Sequence, residues 1–173
     1  MSRAFTKEDG AEPPFVAPRA PLPAEVPNYV TRRGLAALRE ERAALEAARP
    51  KAEEADPDTA SAVAAYQARL GALEARIASA VLVDPAALAH DEVRFSAEVT
   101  LQSADGRERR YRIVGVDEAD AESGHIAFLS PLARELAGKR VGDSIQVRSP
   151  HGEEELEIAK IDYAQESVAF ATS

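Results

Sequence analysis

Apolar residues follow two different periods in this chain, and the change of period divides it. Val63, Tyr66, Leu70, Leu73, Ile77 and Ala80 are spaced by threes and fours, which winds one apolar seam along a helix with charged or small residues elsewhere. Before them Leu35, Leu38 and Leu45 mark a second seam, interrupted by Arg42 and Arg49, in a stretch of Ala, Glu and Arg that favours helix on propensity. Between the two lies the acidic run Glu53-Glu54-Ala55-Asp56-Pro57-Asp58. Pro57 cannot continue a helix, it pushes Asp56 out of the α region, and Asp58 or Thr59 is a good N-cap for the second helix. The pattern predicts an antiparallel helical hairpin over 29–83 with the acids at its tip. Thr31 is expected to cap the first arm, with Tyr29 and Val30 packing on the following turn as a hydrophobic staple. A bend is expected at Pro50, and Asp84-Pro85 is expected to close the second arm.

After a linker over 84–91 the period becomes two. Val93, Phe95, Ala97, Val99 and Leu101 alternate with Arg94, Ser96, Glu98 and Thr100, as in a half-buried strand. Asp105-Gly106 is a hairpin turn into a strand from Arg109 to Val116. An acidic loop, Asp117 to Gly124, leads to a short strand from Ile126 to Leu129. Ser130-Pro131 opens a helix of about two turns, with Ser130 as N-cap and Pro131 in the first helical position, closing at Gly138. Two strands come next, Ser144 to Arg148 and Glu154 to Tyr163, joined by Pro150-His151-Gly152. Leu156 and Ile158 share a face while Ile161 and Tyr163 have the opposite parity, which predicts a bulge near Ala159. The fold class is α+β: a helical hairpin, then an antiparallel sheet of five strands crossed by one helix, over 92–164. The proline-rich segment 1–28 reads as a disordered or polyproline-like tail and 165–173 as a frayed end.

Composition removes several classes of function. There is no cysteine, so disulfides and thiolate metal sites are out. No apolar run approaches a membrane span, and the N-terminus lacks a signal-peptide core, so a cytoplasmic protein with no membrane partner is expected. A net charge of -9 argues against general affinity for duplex DNA. His90, His125 and His151 fall in a linker, a loop and a turn, without a nucleophile or ligand at a recognisable spacing. No phosphate-binding glycine loop occurs. The chain is therefore not expected to be an enzyme, nor to carry a cofactor of its own. The exception is the tip, where Glu53, Glu54, Asp56 and Asp58 are the hard oxygen donors Mg²⁺ takes; the alternative is a solvated turn of acids near a helix N-terminus.

The order of parts resembles the GreA/GreB family of bacterial transcription elongation factors. The residues that carry the resemblance are Val30-Thr31-x-x-Gly34-Leu35-x-x-Leu38, Arg49-Pro50, Gly71-x-x-Glu74-x-Arg76-Ile77, Tyr111-Arg112-Ile113-Val114-Gly115, Ser130-Pro131-Leu132-Ala133-Arg134, Gly138-Lys139-x-Val141-Gly142-Asp143 and Pro150-x-Gly152. The resemblance implies an FKBP-like C-terminal domain that docks on RNA polymerase at its secondary channel, with Ser130, Pro131, Leu132 and Arg134 on the docking surface. It implies a monomer whose hairpin enters the channel and touches nascent RNA only indirectly. Its tip acids, here Asp56 and Asp58 with Glu53 and Glu54 beside them, would help the polymerase hold its own Mg²⁺ for cleavage of backtracked RNA.

This tip departs from the family's Gly-Asp-x-x-Glu-Asn-x-x-Tyr: Ala55-Asp56-Pro57-Asp58-Thr59-Ala60 has no Glu three residues after Asp56 and no Asn. Counted from Pro50 to Gly71 the hairpin is roughly eight residues shorter, about four in each arm, which at ~1.5 Å per residue sets the tip ~6 Å back. A channel-binding regulator without cleavage activity is therefore a second expectation. A third is a regulator of another partner, like the nucleoside diphosphate kinase regulators with the same C-terminal domain and shorter hairpins. Peptidyl-prolyl isomerase activity, suggested by the fold alone, has no aromatic-lined pocket to support it.

Overall fold

The computed structural model describes residues 19, 21–49, 57–84, 91–149 and 152–163. Chain order is β1 (Asn28–Val30), α1 (Arg32–Ala47), α2 (Pro57–Ala78), β2 (Ala80–Leu82), β3 (Glu98–Ser103), β4 (Glu108–Val114), a 3-10 turn (Val116–Glu118), β5 (His125–Ala127), α3 (Pro131–Leu136), β6 (Ser144–Ser149) and β7 (Gly152–Asp162).

The hairpin forms from the two expected seams. Leu38 and Leu73 are buried against Val30, with Leu35, Leu45, Ile77 and Ala80 packed around them. Thr31 caps α1, its hydroxyl accepting from the Gly34 amide at 3.0 Å, which satisfies one of the orphan donors of the first turn. Pro57 is itself the first residue of α2, so Asp58 and Thr59 lie in its first turn and are not its caps; the ring's fixed φ suits that position. Pro50, Glu53, Glu54 and Asp56 lie outside the described residues, as do Pro85, His90, Pro150 and His151. Asp58 is placed only as part of α2.

The second arm is shorter than its seam implied. α2 ends at Ala78, and Ala80–Leu82 pairs in parallel with Asn28–Val30. Asn28, expected at the end of a tail, is buried: its amide donates to the Arg76 carbonyl at 2.8 Å and to the Ser79 hydroxyl at 3.2 Å. That bond satisfies a carbonyl left over at the end of α2, so helix end and strand pair form together.

The larger sheet has the order β5-β4-β3-β7-β6. β3, β4, β6 and β7 pair antiparallel, and β5 runs parallel to β4, so the sheet is mixed and not antiparallel throughout. Alternation specifies which side chains face the core but not strand direction, and the segment 115–124 carries the chain back to the level of Arg112 before β5 begins. The first strand starts at Glu98 and not Val93. Ser96 is left-handed (φ 71°) and Ala97 N–H donates to Arg94 O at 3.1 Å, a turn that keeps Val93 and Phe95 out of the ladder. β4 ends at Val114, and Val116 belongs to the 3-10 turn.

The bulge falls at Ala159: Thr100 faces Lys160 while Leu101 faces Ile158. The extra residue brings Ile161 opposite Val99, so both Ile158 and Ile161 pack with the core despite their different parity. That core comprises Val93, Ala97, Val99, Leu101, Ile113, Ile145, Leu156 and Ile158 from the sheet side, closed by Ala133 and Leu136 of α3.

Candidate functional site

The residues expected to dock a partner share one turn. Ser130 Oγ accepts from the Ala133 amide at 3.2 Å, fixing the start of α3, and Pro131 occupies the first turn. Pro131 and Arg134 are exposed, whereas Leu132 is half-buried against the core. Of the two apolar residues there, Pro131 is the exposed one. Gly138 ends the segment with φ 77°, a conformation glycine adopts without a Cβ penalty.

This turn is anchored to the root of the hairpin. Phe128, just before it, meets Tyr29 edge-on with centroids 5.5 Å apart, and Phe95 lies 5.7 Å from both rings. Tyr29 therefore packs across to the sheet domain and not onto α1 as a staple; Val30 alone joins the hairpin core. Three interlocked rings bury a large apolar area and fix one geometry.

A second attachment was not anticipated from the sequence. Asp117 and Glu118, read as part of an acidic loop, form the end of the 3-10 turn after β4. Glu118 accepts from Thr31 N at 3.1 Å, from the Thr31 hydroxyl and from Gly115 N at 3.3 Å. It sits where a side chain on Gly34 would stand: a Cβ there would lie 2.1 Å from Glu118 Cδ. Asp117 accepts from Arg19 Nε at 3.0 Å and Arg76 Nε at 3.1 Å. The Arg76 side chain is 8% exposed, so this pair is shielded from the solvent that weakens surface ion pairs. Arg19 also pairs with Glu41 of α1. Gly115 has no room for a side chain either, since a Cβ would come within 2.8 Å of Tyr29 O. The glycines of the Thr-x-x-Gly and Val-Gly motifs were the available signal: each marks a close approach between the two modules.

A cleft of about 190 Å³ runs between these parts, lined by residues that include Arg19, Arg33, Glu41, Arg112, Asp117 and His125. His125, expected in a loop, begins β5, and its backbone exchanges both hydrogen bonds with Asp120 at 2.9 Å. The Asp120 carboxyl is held below its ordinary range, first by the Ser123 hydroxyl and then by the Glu122 amide. Among the described residues no group of three His, Asp or Glu side chains is arranged to hold a metal, and no helix is long and apolar enough to cross a membrane.

Residues 88–163 match the family model "Transcription elongation factor, GreA/GreB, C-term". A "Transcription elongation factor GreA" of Sphingopyxis alaskensis is 41% identical over 97 residues, 56% of this chain and 61% of that protein. A "Transcription elongation factor GreB" of Neisseria meningitidis is 44% identical over 96 residues, 55% of this chain and 59% of that protein. The chain thus spans about three fifths of the relatives it matches. A solved structure, "Prokaryotic transcription elongation factor GreA/GreB from Nitrosomonas europaea", covers 78% of this chain and 98% of its own at 20% identity, with a TM-score of 0.42. Over residues 88–163, therefore, the chain is similar to the C-terminal domain of the GreA/GreB factors.

Proposed function

We propose that this chain is an accessory regulator of RNA polymerase that docks by its C-terminal domain and directs its helical hairpin into the secondary channel. The observation that supports this reading most is the pairing of a GreA/GreB C-terminal domain with a hairpin fastened to it at its root. A loosely tethered hairpin would carry little positional information. The chain supplies no active site of its own, and any chemistry belongs to the polymerase and its Mg²⁺. Asp56 and Asp58, with Glu53 and Glu54, have the hard oxygen donors that such an ion takes.

Within this reading the channel-occupying version is favoured by the sequence of the tip. Asp56 is followed by Pro57-Asp58-Thr59 and no glutamate, and the shorter arms set it back by ~6 Å. A tip that stops there slows nucleotide entry or excludes a cleavage-competent factor.

The docking half is tested by Pro131→Asp. Pro131 is exposed, in the first turn of α3, where its substitution leaves the core untouched. The new carboxylate would be desolvated and unpaired at the contact. Affinity for RNA polymerase should fall at least tenfold, about 1.4 kcal/mol, with the melting temperature near parental. A variant that melts lower yet binds as the parent does would reduce Pro131 to a first-turn residue.

A further inference from the structure

We propose that Asp117 and Glu118 are positioning residues that hold the hairpin at one angle to the C-terminal domain, so that the direction of the tip is set by the 3-10 turn after β4. Two adjacent carboxylates on one short rigid element reach both arms. Glu118 holds the start of α1 through the Thr31 amide and hydroxyl, under Gly34, while Asp117 holds the last turn of α2 through Arg76. Attachment to two arms at separate points resists rotation as well as displacement, which a single bond does not. The Tyr29–Phe95–Phe128 cluster is a third point of contact. It fixes the hairpin root near Tyr29 alone, whereas the two carboxylates hold both arms.

The lever arm makes this matter. α1 has 16 residues, about 24 Å of helix, so a swing of about 10° at the root moves the far end by about 4 Å. That is comparable to the setback inferred for the tip. Gly34 shows how closely the turn is seated. The atoms a Cβ would strike are the end of the Glu118 side chain, which can move only by giving up the donors that hold it. The consequence for RNA polymerase rests on the function proposed above; the fixed angle does not.

The full chain suits a distance measurement because it has no cysteine. Spin labels at Gln67→Cys on the exposed side of α2 and Gln146→Cys on β6 report the hairpin-to-sheet distance by pulsed electron resonance. The parent should give one narrow distribution. Glu118→Ala and Asp117→Ala should broaden or shift it at a temperature where circular dichroism shows both variants folded. Glu118→Gln should restore the narrow distribution, since an amide oxygen still accepts from Thr31 N and Gly115 N. A purely stabilising role predicts lower melting temperatures with an unchanged distribution, and that result would overturn the proposal. An alanine variant that fails to fold is replaced by Gly34→Ala, which displaces the carboxylate from the other side. An unchanged distribution there counts against the proposal equally. In a second arm, the alanine variants should lose their effect on transcription while retaining polymerase binding. Should the parent itself ignore polymerase, only the function fails, because the distance arm involves no polymerase.

Discussion

Three donors converge on the Asp105 carboxylate in the β3–β4 turn: the Ser103 hydroxyl, the Arg107 amide at 3.2 Å and the Arg107 guanidinium at 2.6 Å. They favour its charged form, with Ser103 the largest cause, and lower its pKa from 3.8 to about 2. Because the folded value is depressed, the stability this carboxylate contributes is present above about pH 4 and is lost as pH falls toward about 2. Carbon-detected NMR titration should place its midpoint near the lower value, and a midpoint at the ordinary carboxylate value would show that the turn does not hold it. Tyr163 shows the opposite influence: burial raises its pKa, against the partial opposition of the Arg94 amide it accepts from at 3.0 Å. Single residues were readable in the sequence where their effect is local. Thr31 and Ser130 as caps follow from residue type alone. The part played by Glu118 does not, because its partners Thr31 and Gly34 lie more than eighty positions away and nothing in a string of acids distinguishes a half-buried clasp from a solvated loop.

Elements were legible to the extent that their side chains alternate. The five strands and α3 follow from period and turn residues, and the bulge at Ala159 follows from a parity change between Ile158 and Ile161. The parallel direction of β5 and the β1–β2 pair do not, since the first is set by the path of segment 115–124 and the second by the helical hairpin that brings two three-residue strands together. Glycines separate local from long-range demands at this scale. Gly71 is exposed on α2, and a Cβ there would meet nothing within 4 Å, so Gly71→Ala should stabilise the hairpin by about 0.5–1 kcal/mol through helix propensity alone. Gly115→Ala should instead cost about 1–3 kcal/mol, because the Tyr29 carbonyl it strikes is backbone and cannot step aside. Urea denaturation of the two variants checks both signs. A stabilised Gly115→Ala would mean that β1 is not seated as described.

At the scale of the whole molecule, the hairpin and sheet domain meet through polar clasps and one aromatic cluster, a junction that binary patterning does not encode. The sequence nonetheless marked its edges with glycines. In the function proposed above, this molecule uses RNA polymerase as its platform and its hairpin as a channel plug. Transcript cleavage on stalled, backtracked RNA polymerase complexes, with a GreA factor supplying cleavage and this chain titrated in, tests it most directly. Cleavage should fall as the chain is added, Pro131→Asp should lose this effect, and replacing Asp56 and Asp58 by Asn should leave it nearly unchanged. Cleavage unaffected by any concentration of the chain would contradict the proposed function, and robust cleavage by the chain alone, abolished by the two Asn substitutions, would contradict a hairpin that acts as a plug.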